Sequence, residues 1–459
     1  MRYNSPTTQL AILTAVLMLT TVINRLLNVY LLQSSPTDLN LMYDSYWPTS
    51  LVACLSGFIG IFLVNLIGAR VILLFYCITS ILFFGSIVST YTIKTKALYS
   101  VMKIIDAAGY DFGRVATLVL VLAYPSERWK ARSLALFLFI ENFSLTLGDI
   151  LVLRNPGDET SRLRVAIAGL CLTCLAPVFA LAIAPANRIV RSNGVYLVAR
   201  ETSLSEELCG TRAIFKNKYM LLLLPYMFSY PFLFGAANVP FPTILAIILY
   251  DIGRIFIVLM SLMLDMPWAS RRFRSLISLG MLVVVCIVSI AITIATRASK
   301  TDKSAIDPTW SEMQISDYIF DQSIRDHGDL LYSCYFFAGV ASGFVELFGY
   351  WVIGTLTNDI KTSARFVGTY QSTLSIGGMV GVQMVQNIPH QFTTSNIPTY
   401  ISTGFTLVSF VFMFFVVRRI TETNDWTLGS ISDHESPSNE HSSESITIIA
   451  DVKYQHTND

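Results

Sequence analysis

Ionisable side chains inside long apolar segments are the clearest candidates for chemistry in this sequence. An ionised side chain at the centre of a bilayer-spanning helix costs about 2.5–3.5 kcal/mol, so it is kept only where it faces a partner, the protein interior or water. The candidates are Arg25, Asp111, Arg114, Asp251, Arg254 and Glu346.

Four of these residues form two pairs by spacing. Asp111 and Arg114 are three residues apart, and so are Asp251 and Arg254. Residues three apart share one face of a helix and can neutralise each other. For Asp251 and Arg254 we expect a structural ion pair that holds helices together. For Asp111 and Arg114 two roles stay open, an ion pair of the same kind or part of a substrate-binding site.

Arg25 and Glu346 stand apart from other charges in their own segments. They are candidates for a substrate or proton site, with Asp111 and Arg114, or they are partners of each other. The guanidinium of arginine stays charged and suits a carboxylate or phosphate on a solute. Of the other acids, we expect Asp149 to be solvated, and Glu141 lies deep enough to take up a proton.

The composition indicates that these residues lie in a membrane protein. Hydrophobic residues make up 53% of the 459 residues and charged residues 14%, whereas soluble domains carry about 25% charge. The net charge of +1 gives no reason to expect a nucleic-acid partner. We expect the lipid bilayer as a partner, and either a small solute or ion or another membrane protein as a second one.

The apolar segments predict an all-α, polytopic membrane protein with twelve transmembrane helices, because about 20 apolar residues cross a bilayer. The predicted spans are 8–32, 46–66, 70–91, 99–123, 133–153, 165–185, 218–239, 242–264, 275–296, 330–355, 366–388 and 398–417. They divide the chain into a first six-helix half (1–185), a cytoplasmic central loop (186–217), a second six-helix half (218–418) and a disordered cytoplasmic tail (419–459).

Lysine and arginine set the predicted orientation. More of the loop cations fall on the side of the N-terminus than on the opposite side, and cytoplasmic loops carry the excess in membrane proteins. We therefore expect both termini in the cytoplasm and the acidic segment 297–329 outside. Nothing in the sequence identifies the membrane.

The sequence contains no motif that predicts an enzyme, a metal site or a cofactor. A Walker loop, a serine-hydrolase elbow and a haem motif are all missing. The "CLTC" of 171–174 has no second cysteine pair and lies in an apolar segment, so it does not predict a zinc site.

Several stretches resemble the fungal Unc-93-like (uncoordinated-93-like) membrane proteins, a branch of the major facilitator superfamily. The similar stretches are "YPSERWKARSLALFLFIENFSLTLGDI" (124–150), "IVRSNG" (189–194), "LMLD" before "RRFR" (262–274) and "YWVIGTLTNDIKTSARFVGTYQ" (350–371).

The likeness runs from about residue 45 to residue 420. It implies the major facilitator fold, in which two six-helix halves surround a substrate site. It also implies two functions as alternatives. One is a secondary transporter of a small solute or ion that works by alternating access. The other is a non-transporting membrane partner, such as a channel regulator or trafficking chaperone.

Overall fold

The computed structural model of the chain describes eleven segments, all of them helical or connecting helices. The segments are 3–32, 36–93, 96–125, 129–154, 159–184, 203–236, 244–266, 269–298, 312–357, 359–386 and 397–420. No strand occurs within them. Most of the predicted central loop and the predicted tail lie outside these segments.

The helices fall into two groups on either side of a short helix, α8. The first helix group contains α1 (Pro6–Leu32), α2 (Pro36–Ile67), α3 (Ala69–Ile93), α4 (Lys96–Ala123), α5 (Lys130–Arg154), α6 (Glu159–Thr173) and α7 (Ala176–Leu181). Helix α8 spans Leu204–Ile214. The second helix group contains α9 (Lys218–Ala236), α10 (Ile244–Ile255), α11 (Ile257–Leu264), α12 (Arg271–Ala298), α13 (Glu312–Leu356), α14 (Ile360–Gln386) and α15 (Ile397–Val417).

The helices fall at the positions that hydropathy predicts, and the chain is an integral, multi-pass membrane protein. Among the described residues, nine helical stretches are long and apolar enough to cross a bilayer. Helices α4, α9 and α14 cover the other three predicted spans. The all-α class is confirmed, while twelve crossings remain a prediction.

The two helix groups contact each other along two lines. Helix α14 packs against α2 and α4, and α5 packs against α10, α11 and α13. Glycines allow the first of these contacts to be close. A Cβ atom at Gly368 would collide with Ile61 and approach the carbonyl oxygen of Gly57 to 2.7 Å. Small residues bring membrane helices together in this way.

Close glycine contacts also join α10 to α13 within the second helix group. A Cβ atom at Gly253 would collide with the carbonyl oxygen of Phe336, and one at Gly339 with that of Tyr250. One at Gly343 would lie 2.8 Å from the carbonyl oxygen of Arg254. The backbones are therefore nearly in contact, and charged side chains of α10 and α13 lie side by side.

One end of the bundle carries the N-terminus, and we call it the N-terminal end. Tyr3 donates to the carbonyl oxygen of Ala182 at 2.5 Å, and Gln9 accepts from the backbone N–H of Ala184 at 2.8 Å. The turn between α2 and α3 lies at the same end, since Arg70 donates to the carbonyl oxygen of Leu181. Gly68 has a φ of 88° in that turn, which a glycine adopts without strain.

Candidate functional site

A cluster around Arg25 joins the two helix groups. Arg25 of α1 binds Asp149 of α5 through two hydrogen bonds, with Nε–Oδ1 at 2.8 Å and Nη2–Oδ2 at 3.2 Å. Its Nη2 also donates to Oδ2 of Asp251 in α10 at 3.2 Å. Both carboxylates are buried. We call these three residues the Arg25 cluster.

A second cluster forms around Glu346 of α13. Its Oε1 accepts from Nη2 of Arg114 in α4, and its Oε2 accepts from Nη2 of Arg254 in α10 at 2.6 Å. Arg114 also lies 3.2 Å from Oε1 of Glu141 in α5, and its Nη1 donates to the hydroxyl of Tyr110 at 2.8 Å. Tyr110 in turn donates to Glu141 at 3.1 Å. We call these five residues the Glu346 cluster.

The two clusters together hold three arginines and four carboxylates, so their formal charge is −1. Several of their polar atoms are unsatisfied. Within the described part of the chain, Nε of Arg114, Nε of Arg254 and Oε2 of Glu141 are buried without a hydrogen-bond partner. Buried polar groups nearly always have a partner, so these atoms are available to water or a ligand.

Asp111 lies next to the Glu346 cluster, but its hydrogen-bond partner is a neutral side chain. Its Oδ1 accepts from Nε2 of Gln371 in α14 at 3.1 Å. Oε1 of Gln371 accepts from the hydroxyl of Tyr350 in α13 at 2.9 Å. This chain of hydrogen bonds makes a further polar link between the two helix groups.

The pairs predicted from spacing are wrong in their partners. Asp111 binds Gln371, while Arg114 binds Glu141 and Glu346. Helical spacing brings two side chains onto one face, but it does not exclude partners on neighbouring helices. A buried guanidinium has five donors and is best satisfied by several carboxylates in fixed geometry.

The other pairings fail for the same reason. Asp251 forms its ion pair with Arg25, and Arg254 forms its ion pair with Glu346. Asp251 and Arg254 therefore attract each other only at longer range. Arg25 and Glu346 belong to different clusters. Asp149 is not solvated, because its side chain is 0% exposed and bound to Arg25.

Sequence reasoning missed the roles of Glu141, Asp149 and Tyr110. A signal for the two acids was present, since acidic residues outnumber arginines in the apolar segments and each arginine needs a counterion. Tyr110 is neutral and gave no such signal, although it lies four residues before Arg114 and on the same helix face.

Further contacts close the N-terminal end of the interface. Lys130 at the start of α5 donates to the carbonyl oxygen of Gly354 near the end of α13 at 2.7 Å. Asp265, directly after α11, accepts from the backbone N–H groups of Ala131 and Arg132 at 3.3 and 2.8 Å. A carboxylate at the first N–H groups of a helix is a stabilising contact, and here it holds α5 against the second helix group.

Helix α8 adds a buried ion pair at the same end. Oε1 and Oε2 of Glu207 accept from Nη2 and Nε of Arg365 in α14 at 2.9 and 3.0 Å. Oε2 also accepts from Asn65 of α2 at 3.0 Å. Burial raises the pKa of Glu207, but the hydrogen bonds from Arg365 and Asn65 outweigh it and hold the pKa below its ordinary value.

A cavity of about 40 Å³ lies within the second helix group, away from both clusters. Residues of α9, α12, α13 and α15 line it, among them Tyr230, Thr293, Tyr335 and Thr403. None of the described residues that line it is charged, so the candidate site is the two clusters. The described residues contain no group of side chains that could hold a metal ion.

Comparison with curated proteins finds UNC93-like proteins. An UNC93-like protein of Schizosaccharomyces pombe is 26% identical over 59% of this chain. The matched region spans 55% of the length of the yeast protein. UNC93-like proteins 1 and 2 of Arabidopsis thaliana are each 23% identical over 72% of this chain and 72% of their own. No family model matches the chain.

Comparison with solved structures finds major facilitator transporters. A variant of the Escherichia coli fucose:proton symporter superposes with a TM-score of 0.61 at 14% identity, covering 91% of this chain and all of that one. The proton:xylose symporter XylE gives 0.59 at 13% identity, covering 89% of this chain and 94% of the other. These likenesses show the fold. The resemblance seen in the sequence is confirmed: the chain is a homologue of the UNC93-like proteins with the fold of the major facilitator superfamily.

Proposed function

We propose that this protein is a secondary transporter that moves a small solute or ion by alternating access. In this proposal twelve helices cross the membrane in two six-helix halves, with both termini in the cytoplasm, and the protein catalyses no chemical reaction. The observation that carries the proposal is that two ion pairs, each with a buried carboxylate, join the helix groups: Arg25–Asp251 and Arg114–Glu346.

These ion pairs fit a mechanism in which the halves move against each other. Alternating access is a rocking of one half against the other around a fixed site near the bilayer midplane. Each ion pair between the groups must then break and form again during transport. A charge left without its partner in a low-dielectric site is costly, so a solute or water must replace the lost contact.

The unsatisfied atoms indicate the kind of solute. Arg114 and Arg254 both bind Glu346, and each still has a free Nε. A carboxylate or phosphate could compete with Glu346 for the guanidinium groups, because these anions accept parallel N–H bonds from arginine. We therefore propose an anionic or zwitterionic solute.

The alternative is a non-transporting membrane partner, and one observation favours it. Arg25, Arg114 and Arg254 each already bind at least one carboxylate. In this conformation the three arginines are therefore already paired, and their ion pairs hold the two helix groups together. A fixed network of this kind would also suit a rigid scaffold that binds another membrane protein.

Flux into sealed vesicles that contain the purified protein tests the proposal. The solutes are radiolabelled amino acids, dicarboxylates and phosphate esters. The decisive variant is Arg114→Lys, which keeps the charge but loses the planar fork. We expect at least a tenfold loss of flux, which is about 1.4 kcal/mol, at unchanged protein yield. Arg272→Lys is the matched control, since Arg272 is exposed and outside both clusters.

Normal flux and normal yield in Arg114→Lys would remove Arg114 from the site. If the unaltered protein carries none of the solutes, and Arg114→Lys leaves capture of a membrane partner intact, the alternative is favoured.

A further inference from the structure

Helix α8 joins the bundle by one face only. Glu207 and Ile214 are buried on that face, and Gly210 lies against the guanidinium of Arg365. The helix is a well-defined element with a capping box, in which Ser203 accepts from the backbone N–H of Glu206 and the Glu206 side chain accepts from that of Ser203. Its remaining faces are exposed.

The exposed surface of α8 includes an apolar stripe, consisting of Leu204, Leu208 and Phe215. These side chains are 56%, 55% and 42% exposed. The spacings of four and seven residues place them within about 40° of one another around the helix axis. Large apolar side chains are rarely left in water as a contiguous stripe, so this face requires a partner.

The position of the stripe identifies the partner as lipid. The ring of Phe215 lies 6.4 Å from the ring of Phe58, centroid to centroid. Phe58 belongs to the apolar stretch Trp47–Ile67 of α2, which is long enough to cross a bilayer. Leu55 and Ile59 on the same stretch are exposed, so in a bilayer-crossing helix they would face lipid. The apolar stripe of α8 therefore continues a surface that already faces acyl chains.

Basic residues flank the stripe on the side away from the bundle. Arg212 and Lys216 are exposed, and at 100° per residue they lie roughly 60–100° from the centre of the stripe. Helix α9 begins at Lys218, four residues after α8 ends. Because α9 covers a predicted span, so short a connection keeps α8 at the level of the membrane surface.

We propose that α8 is an interfacial helix that docks on an anionic lipid surface, the leaflet at the N-terminal end of the bundle. Leu204, Leu208 and Phe215 lie among the first acyl carbons, and Arg212 and Lys216 contact headgroup phosphates. This arrangement matches the two parts of membrane-surface binding, apolar burial and attraction to anionic lipids. The adjacent face, about 80° from the centre of the stripe, keeps the ion pair between Glu207 and Arg365.

Spin labels at two neighbouring positions of the full chain test this proposal. One label is attached to Cys209, which is exposed in the native sequence and is turned about 100° from Leu208. The other is attached to Leu208→Cys in a chain with Cys209→Ser. The other six cysteines are replaced by serine or alanine in both chains. Each protein is placed in nanodiscs of phosphatidylcholine, with or without phosphatidylserine.

For each label we measure the ratio of collisions with oxygen to collisions with a water-soluble nickel chelate. In bilayers that contain phosphatidylserine, we expect this ratio to be several-fold higher at position 208 than at Cys209. Removing phosphatidylserine should lower this ratio at position 208. The variant Arg212→Gln/Lys216→Gln should abolish the dependence on phosphatidylserine.

Three results would overturn the proposal. Equal access of the nickel chelate to both positions would place the stripe in water. A label at position 208 that is shielded from both reagents would mean that protein covers the stripe. If the ratio of oxygen to nickel collisions at position 208 did not depend on phosphatidylserine in a chain that keeps Arg212 and Lys216, an anionic surface would be excluded. None of these results depends on whether the protein transports a solute.

Discussion

At the scale of single residues, the number of donors on arginine decides the partners in the bundle centre. Arg25 binds two carboxylates from two different helices, and Arg114 does the same. One neighbouring acid on the same helix would leave most of the guanidinium donors unsatisfied in a low-dielectric site. Such donors are expensive, so long-range pairing replaces the local pairing that helical spacing permits.

This pairing predicts which charges are energetically coupled. Arg25→Gln or Asp251→Asn alone should lower thermal stability in detergent, because each leaves a charge with one partner fewer. Together they should lower it by less than the sum, with a coupling energy of about 0.5–3 kcal/mol. The matched control is Arg254→Gln combined with Asp251→Asn, since these residues share a helix face but bind different partners.

Thermal unfolding of these four variants and of Arg254→Gln alone, followed by intrinsic fluorescence, gives the measurement. Strong coupling between Asp251 and Arg254, together with none between Asp251 and Arg25, would contradict the pairing in the structure.

At the scale of elements, the sequence predicts where helices lie but not how they end or pair. Long apolar runs predict the spans because a helix of about 20 apolar residues matches the thickness of the bilayer's hydrocarbon core. The interruption at Phe256, between α10 and α11, has no such signal. The interruption at Cys174, between α6 and α7, does have one, since Pro177 in the first turn of α7 cannot continue the hydrogen bonds of α6. Helix α8 did have one, the Ser203 and Glu206 capping box, inside a segment predicted only as a loop.

Glycine contacts between helices give a prediction at this scale. Gly339→Ala should destabilise the protein by about 1–3 kcal/mol, because a Cβ atom there collides with the carbonyl oxygen of Tyr250 and overpacks the α10–α13 contact. Gly280→Ala is the matched control, since a Cβ atom at that helical position meets nothing within 4 Å. It should be neutral or stabilise α12 by about 0.5–1 kcal/mol through helix propensity.

The two variants are compared by thermal unfolding and by yield in the same detergent. Equal stability of Gly339→Ala and Gly280→Ala would show that the close approach of α10 and α13 is not maintained in the protein.

At the scale of the whole molecule, the candidate site depends on contacts that no single segment contains. Glu346 binds arginines that precede it by 232 and 92 residues. Hydropathy identifies each of these charges as unusual, which is why five of the eight residues in the two clusters could be named from the sequence. It gives no information about which helices are neighbours, so the partners Glu141 and Asp149 required the three-dimensional arrangement.

The last prediction concerns the orientation of the whole molecule. Contacts of Tyr3, Arg70 and Asn65 place the N-terminus, the turn between α2 and α3, and α8 at one end of the bundle. Cationic residues are frequent in the loops assigned to this end, and such loops stay in the cytoplasm. A membrane-impermeant maleimide added to intact cells that express the protein in their plasma membrane should therefore label a cysteine at Ser304, on the opposite side by the span prediction, and miss one at Asn193. Both positions lie outside the described residues. Permeabilised cells, in which both positions should react, are the control. Labelling of Asn193→Cys but not Ser304→Cys in intact cells would reverse the orientation, and labelling of both would contradict the number of crossings between them.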